Sequence, residues 1–159
     1  MDETSIKIEK VKPKDFDNII RIEELSYKDP WPREVFMLDY LFNNSSEYFV
    51  LKNQGKIIGF IGMWLEDKRL HIINVTVHPD ERGKGFGRIM ISFAIKCARQ
   101  KNMKEVYLEA RASNLSAIKL YESIGFRKKD KLSDYYQDGE DGVRMSLNLG
   151  GQNNDNLGY

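Results

Sequence analysis

The hydrophobic and polar positions of this chain follow two alternating periods, which predict an α/β fold. Strict alternation of apolar residues is typical of strands, and apolar residues three or four positions apart are typical of helices. Strands are predicted at residues 6–11, 48–51, 57–65, 70–77, 104–110, 126–128 and 143–149. Helices are predicted at residues 13–27, 33–42, 86–97 and 114–124.

The order of these segments predicts the topology. Three consecutive strands between residues 48 and 77 are joined by short polar turns, which predicts an antiparallel meander. A helix separates the third of them from the strand at 104–110, which predicts a parallel crossover. We therefore expect a mixed, mostly antiparallel sheet with a central parallel β-α-β crossover and helices on both faces. Gly59 and Gly62 lie inside a strand and indicate a bulge or a close neighbour.

Local signals also describe individual helices. Asn114 is a plausible N-cap, and Gly125 stands where a C-cap glycine belongs. Two helices align apolar residues along one face. The aligned residues are Phe16, Ile19, Ile20 and Tyr27 in the first helix, and Val35, Leu38 and Phe42 in the second.

Length and composition bound the organisation of the protein. At 159 residues, the chain is predicted to form one domain over residues 1–149, followed by a polar, disordered tail at 150–159. A single cysteine, Cys97, excludes an internal disulfide and favours a reducing compartment. The acidic N-terminus lacks a signal-peptide core, and no apolar run approaches the length of a membrane span. We therefore expect a cytoplasmic protein without a membrane partner.

A glycine-rich segment follows the strand at 70–77. Gly83, Gly85 and Gly87 allow a tight turn that exposes backbone N–H groups, and the next helix offers its unpaired N-terminal amides. Seven Lys and Arg residues and no acidic residue lie between positions 82 and 104, in a chain with 25 basic and 24 acidic residues. This pattern predicts an anion cradle for a phosphorylated ligand. A nucleic-acid surface is a weaker interpretation, because no aromatic residues are interleaved for base stacking.

Known nucleotide loops do not match this segment. A Walker A loop needs Ser or Thr after Gly-Lys, whereas Gly85 follows Lys84. A dinucleotide fingerprint needs a glycine at position 90, which is Met90. The spacing Arg-x-x-Gly-x-Gly at Arg82, Gly85 and Gly87 instead resembles the acetyl-CoA pyrophosphate loop of the GNAT acyltransferase superfamily.

A second motif narrows the resemblance. Residues 114–126 contain the Asn, Ala-Ile, Leu-Tyr and Gly-Phe elements that are shared widely among GNAT enzymes. The preceding run Leu-Glu-Ala-Arg-Ala-Ser-Asn, residues 108–114, resembles N-terminal protein acetyltransferases of the bacterial ribosomal-protein (alanine) type and their archaeal counterparts. The order of predicted elements matches a GNAT domain over residues 5–149.

The resemblance implies a set of positions for acetyl-CoA. The strand before the glycine loop would present its backbone to the pantetheine arm, and the loop amides would hold the pyrophosphate. The implied residues are Val75, Thr76, Val77, Arg82, Gly83, Lys84, Gly85, Phe86, Gly87, Arg88, Asn114 and Tyr121. Asn114 could serve both as helix cap and as pantetheine ligand.

The chemistry of acetyl transfer needs a proton acceptor for the amine and a proton donor for the departing thiolate. The resemblance implies Tyr121 as the acid. It implies Glu109 as the base, on a strand where we expect burial to raise its pKa. His71 is a second candidate base, matching a histidine of the archaeal relatives, and an exposed strand histidine is an equally weighted alternative.

Substrate contacts are implied at two loops. Tyr135 and Tyr136 resemble the tyrosine pair by which this branch holds the first residues of its substrate. Trp31 lies in the first helix–helix loop, where some archaeal relatives have a catalytic glutamate; Glu34 is nearby. This departure favours Glu109 with Tyr121 over a mechanism that pairs His71 with a loop glutamate.

The expected function is acetyl transfer from acetyl-CoA to protein N-termini, ribosomal proteins included, without a metal. An α-amine with a pKa of about 7.7–8.0 is substantially neutral at working pH, so modest base assistance is sufficient. A polyamine acetyltransferase is an alternative, which acidic residues near the amine site would favour; the candidates are Asp29, Glu34, Asp134 and Asp138. A non-catalytic acyl-CoA sensor is another. An auxiliary subunit, or a second copy paired along the edge beyond Leu149, is left open.

Overall fold

The computed structural model describes residues 5–150. The acidic N-terminus, residues 1–4, and the predicted tail from residue 151 onward lie outside the described residues. The strands are β1 (Ile6–Lys10), β2 (Ser46–Asn53), β3 (Lys56–Leu65), β4 (Arg69–Val77), β5 (Glu105–Arg111), β6 (Arg127–Leu132) and β7 (Gly142–Asn148). The α-helices are α1 (Phe16–Ser26), α2 (Arg33–Phe42), α3 (Phe86–Gln100) and α4 (Leu115–Ile124), with 3₁₀ turns at Pro13–Asp15 and Pro79–Glu81.

The seven strands form a mixed sheet in the order β1-β2-β3-β4-β5-β7-β6. The pairs β1–β2, β2–β3, β5–β7 and β6–β7 are antiparallel, and β4–β5 is parallel. The predicted mostly antiparallel sheet with one parallel crossover is confirmed. The prediction of an exposed sheet edge beyond Leu149 is wrong, because β7 lies between β5 and β6. The Leu149 N–H also donates to the Lys104 carbonyl at 2.7 Å.

The chain divides into two compact units. Within the described residues, the first comprises residues 5–64 together with Ile73–Ser92, and the second comprises Leu65–Ile72 and residues 93–150. Strand β4 and helix α3 therefore each contribute to both units. Within residues 5–150, no helix combines the length and apolar character needed to cross a membrane.

An aromatic core fills the first unit. The Phe36 ring lies 5.8 Å from the Phe60 ring and 6.2 Å from the Tyr48 ring, in edge-on contacts. Phe36 is the buried residue of α2, whereas the aligned face predicted for that helix is exposed, with Phe42 at 74%. Tyr27 does not share the buried face of α1, because it follows the helix in extended conformation (φ −126°, ψ 143°).

The two strand glycines of the first unit have close neighbours. A Cβ at Gly59 would lie 2.9 Å from the Thr76 carbonyl oxygen, and a Cβ at Gly62 would lie 2.6 Å from the Tyr48 ring. These distances exclude a larger side chain without rearrangement and confirm the predicted close approach. The register between β2 and β3 also shifts between Leu51 and Lys52, opposite this region.

The second unit is built on β5 and α4. Val106 and Leu108 of β5 are buried with Met145 of β7. The Asn114 side chain accepts a hydrogen bond from the Ala117 N–H at 3.2 Å, and Gly125 ends the helix at φ 121°. Both predicted caps of α4 are confirmed, which fixes the helix that carries Tyr121.

Candidate active site

The glycine loop of the first unit connects β4 to α3. Gly83 and Gly85 have φ angles of 77° and 86°, a left-handed backbone that glycine adopts without strain. A Cβ at either position would meet nothing within 4 Å, so conformation rather than space requires glycine there. Gly87 was predicted to belong to the turn, but it lies inside α3 and offers instead an N–H of the first helical turn.

Two basic side chains of this loop are engaged with the loop itself. Arg82 donates from Nε to the Val77 carbonyl at 3.3 Å, and the Lys84 ammonium lies 2.9 Å from a Glu81 carboxylate oxygen. The capacity to bind an anion therefore rests chiefly on backbone amides and the N-terminus of α3. This donor set fits the pyrophosphate of a nucleotide-linked carrier.

The two predicted bases form one hydrogen-bonded pair in the second unit. The parallel register places His71 beside Tyr107, with their rings stacked at 4.2 Å, and Glu109 lies two residues further along β5 on the same face. His71 Nε2 lies 2.6 Å from Glu109 Oε2. The side chains are only 13% and 9% exposed, so the pair is largely screened from water.

Arg144 completes this pair from β7. It lies opposite Glu109 in the antiparallel register and donates to Glu109 Oε1 from Nε at 3.2 Å and from Nη2 at 3.1 Å. Burial alone would raise the pKa of Glu109, but the hydrogen bonds and charges of His71 and Arg144 outweigh it, and the pKa is lowered. The prediction of a raised pKa is therefore wrong, and Glu109 is a carboxylate at neutral pH.

A second carboxylate faces the other side of His71. Glu66 Oε1 lies 3.8 Å from His71 Nδ1 and accepts a hydrogen bond from the Tyr107 hydroxyl at 2.6 Å. Arg69 donates to the other Glu66 oxygen at 3.1 Å. Sequence reasoning missed Glu66 and Tyr107. The position of Tyr107, two residues before Glu109 on one strand, was the available signal.

Tyr121 lies on the inward face of α4, as predicted, and is buried. Its ring lies 6.1 Å from the Phe126 ring in a tilted contact. The roles of Tyr121 as acid and of Asn114 as pantetheine ligand stay predictions.

The predicted substrate tyrosines lie in the loop between β6 and β7. Tyr135 and Tyr136 are in edge-on contact at 5.1 Å, and Tyr135 is exposed. Arg111, at the end of β5, places its guanidinium 4.2 Å from the centre of the Tyr136 ring and bonds both Asp138 and Glu140 at 2.9 Å. Sequence reasoning missed this anchor, although Arg111 belongs to the 108–114 motif.

Trp31, the other predicted substrate residue, lies in the first unit between α1 and α2. Its ring lies 5.3 Å from the Phe36 ring, and its backbone N–H donates to Glu23 Oε1 at 3.2 Å. Glu23 of α1 is a further residue that sequence reasoning did not single out. The first unit therefore holds the glycine loop, Val75–Val77 and Trp31, and the second holds His71, Glu109, Tyr121 and the tyrosine loop.

Comparison with known proteins identifies the family of this chain. The model of the Acetyltransferase (GNAT) family matches residues 16–126. A putative [ribosomal protein bS18]-alanine N-acetyltransferase of Bacillus subtilis is 28% identical over 147 residues, covering 92% of this chain and 97% of that protein. An N-alpha-acetyltransferase of Sulfurisphaera tokodaii is 30% identical over 156 residues, covering 90% and 93%. The crystal structure of the ribosomal-protein-S18-alanine N-acetyltransferase from Escherichia coli superposes with a TM-score of 0.83 at 28% identity, covering 91% of this chain and 94% of that one.

Proposed function

The chain belongs to the acetyltransferase (GNAT) family, and from that premise we propose that it acetylates the free N-terminal α-amine of proteins. Members of this family use acetyl-CoA, and this chain is an acetyl-CoA-dependent acyltransferase. The His71–Glu109 pair is the observation that carries the proposal, because it places a histidine that can accept a proton 2.6 Å from Glu109 of the 108–114 motif. The relatives named for N-terminal acetylation, which align over nearly their full length, support a protein N-terminus as the group that accepts the acetyl.

The hydrogen bonds of the pair support His71 as the proton acceptor. An ionised carboxylate can only accept, so the 2.6 Å contact makes His71 Nε2 the donor to Glu109. In a neutral imidazole the other nitrogen, Nδ1, then accepts a proton. Glu109 has one oxygen engaged by His71 and the other by Arg144, so it orients His71 and balances the charge that His71 gains.

A base of this kind suits an α-amine better than a lysine. An α-amine with a pKa of about 7.7–8.0 is substantially neutral near pH 8, whereas a lysine with a pKa of about 10.4 is almost fully protonated. The acceptor then only has to remove the proton that the attacking amine releases. We therefore assign His71 Nδ1 as the group that takes this proton.

The remaining residues fit the acyl carrier. The backbone of Val75–Val77 would hold the pantetheine arm, and the amides of Gly83–Arg88 would hold the pyrophosphate. When bound, acetyl-CoA supplies the thioester whose C–S bond breaks as the new C–N bond forms. Tyr121 would hold a proton at its phenol oxygen for the departing sulfur.

Charge pairing argues against the polyamine alternative. Asp138 is one of the acidic residues that could attract a polyamine, but Arg111 already pairs with it at 2.9 Å. Glu140, in the same loop, is paired with the same guanidinium. One guanidinium compensates one of these two negative charges, so the loop attracts a polycation less strongly than two unpaired carboxylates would.

An acetyl-CoA consumption assay against a peptide panel tests whether a protein N-terminus is the acetyl acceptor. The panel varies the first two residues and includes an N-terminally blocked peptide with an internal lysine, and spermidine. We expect turnover on free N-termini and none on the blocked peptide. Turnover on spermidine alone would move the protein to the small-amine class, and tight acetyl-CoA binding without any turnover would identify a sensor.

Substitutions in the glycine loop test how the carrier is held. Gly85→Ala forces alanine into a left-handed conformation that costs about 1–2 kcal/mol, so we expect acetyl-CoA to bind about tenfold more weakly by calorimetry. Gly55→Ala is a matched control, because Gly55 has φ 80° in the β2–β3 hairpin with equally open space. It should lower stability but leave acetyl-CoA binding unchanged. A larger loss in Lys84→Ala than in Gly85→Ala would show that side-chain charge, rather than the backbone, holds the pyrophosphate.

A further inference from the structure

Glu23 is a buried carboxyl group that the proposed transfer does not use. It lies on α1 and is only 2% exposed. Asp15, another buried acidic residue of the first unit, accepts the Lys12 N–H at 2.9 Å, and this bond closes the turn that leads into α1. The bonds of Glu23 instead leave its helix and join distant parts of the first unit.

Each oxygen of Glu23 accepts from a different segment. Oε1 accepts from the Trp31 backbone N–H at 3.2 Å, and Oε2 accepts from Asn74 Nδ2 of β4 at 3.1 Å. Both donors are neutral, and burial raises the pKa of Glu23 because these two bonds offset it only in part. A buried carboxyl group placed between two neutral donors is expensive, so its position calls for a reason beyond the stability of α1.

The network continues along β4. Thr76 donates from Oγ1 to Asn74 Oδ1, and the Thr76 and Tyr27 hydroxyls lie 3.0 Å apart. The Tyr27 hydroxyl also donates to the Val75 carbonyl at 3.4 Å. The residues that would hold the pantetheine arm, Val75–Val77, are thus linked to the loop between α1 and α2 through neutral hydrogen bonds.

We propose that Glu23 is a positioning residue that fixes the Trp31 loop against β4 and thereby sets the affinity for the acceptor peptide. The part of this inference that concerns the acceptor rests on the proposed function and on the substrate contact that the family resemblance implies for Trp31. Strand β4 is held by its neighbours in the sheet, whereas Trp31 lies outside regular structure. Loss of the carboxyl group therefore releases the loop more than the strand, and acceptor binding suffers more than carrier binding.

The test combines kinetics with the fluorescence of Trp31. The chain has two tryptophans, so a Trp64→Phe background leaves Trp31 as the single emitter. In that background Glu23→Gln keeps the shape of the side chain, but its NH₂ group cannot accept, so one donor loses its partner. We expect acrylamide to quench Trp31 at least about twofold more strongly and the KM for a free N-terminal peptide to rise about tenfold, with kcat and the Kd for acetyl-CoA within about twofold.

Asp15→Asn is the matched control, since it alters another buried carboxyl group near the start of α1. It should lower the melting temperature and leave both Trp31 quenching and the peptide KM unchanged. Asn74→Ala removes one partner of Glu23 but retains the bond to Trp31, and should give a smaller rise in quenching. If Glu23→Gln does not fold, Asn74→Ala decides whether Glu23 fixes the Trp31 loop.

Unchanged quenching in Glu23→Gln, or in Asn74→Ala when it is the only folded variant, would overturn the positioning role. A rise in quenching with an unchanged peptide KM would overturn its link to the acceptor. If the parent protein acetylates no peptide, the proposed function fails, while the quenching experiment still decides whether Glu23 fixes the loop.

Discussion

Glu23 and Glu109 are both buried carboxyl groups, one in each unit of the chain, and their pKa values shift in opposite directions. Glu23 meets two neutral donors, and burial raises its pKa. Glu109 is also opposed by burial, but a histidine and an arginine outweigh it and lower its pKa. The comparison shows that the charge of the donors, rather than burial alone, decides the direction in which the pKa of a buried carboxyl group shifts.

The two groups are therefore suited to different work. A carboxylate held ionised by Arg144 can orient His71 and balance the imidazolium that forms in the reaction. A carboxyl group among neutral donors is suited to joining segments.

The largest effect is expected from the ionised pair. His71→Ala removes the proposed proton acceptor, and we expect kcat for a free N-terminal peptide to fall about 100- to 1000-fold, in the range typical of general-base catalysis. The kcat of Glu109→Gln should fall nearly as far, because a neutral amide cannot balance the charge of the imidazolium. The Kd for acetyl-CoA should stay near that of the parent protein in both variants. A drop of less than about threefold in either kcat would remove the pair from the mechanism.

A smaller effect is expected from the cation that keeps Glu109 ionised. Arg144→Gln retains N–H donors but loses the charge, so kcat should fall about tenfold, in line with the value of a hydrogen bond to a charged group. Lys129→Gln is the control, because Lys129 pairs with Glu105 at 3.2 Å in the same unit and is half exposed. Equal effects of the two substitutions would indicate a general loss of positive charge instead of a specific pairing.

The smallest effect is expected on stability, and its sign separates the two carboxyl groups. A lowered pKa gives Glu109 a stabilising contribution that is present above the ordinary glutamate pKa of 4.5 and is lost as the pH falls through its lower folded value. A raised pKa gives Glu23 a contribution that is present below 4.5 and is lost as the pH rises through its higher folded value.

Denaturant unfolding at a series of pH values measures this difference. The stability lost in Glu109→Gln, relative to the parent protein, should shrink as the pH falls below 4.5. The stability lost in Glu23→Gln should shrink as the pH rises above 4.5. If the stability lost in both variants changes with pH in the same direction, the pKa values of the two carboxyl groups do not shift in opposite directions.

Much of the fold followed from local signals in the sequence. Helix α2 was predicted with its observed bounds, and Asn114 and Gly125 cap α4 as expected, because caps and periodicity act over a few neighbouring residues. Tyr27 was misplaced because α1 ends one residue before it. The position of β7 between β5 and β6 depends on pairing between distant segments, which periodicity does not report.

The candidate site was predicted as residues but not as a network. Glu109 and His71 were both identified, yet their contact joins positions 38 residues apart, and Arg144 is 35 residues from Glu109. The expected direction of the Glu109 pKa was wrong because only its burial was considered. Glu23 was overlooked because a single acidic residue on a helix resembles a solvated one until its neighbours are known.

The position of the proton on the His71 imidazole tests the proposed mechanism most directly. Nitrogen-15 NMR of the imidazole reports which ring nitrogen carries a proton. The chain has two histidines, so a His78→Asn variant identifies the His71 signals. We expect a proton on Nε2, donated to an ionised Glu109, and none on Nδ1. A proton on Nδ1 and none on Nε2 would mean that Glu109 donates to Nε2 as a neutral acid, which would contradict both the ionised carboxylate and the assignment of the base. Protons on both nitrogens would contradict the assignment of Nδ1 as the base.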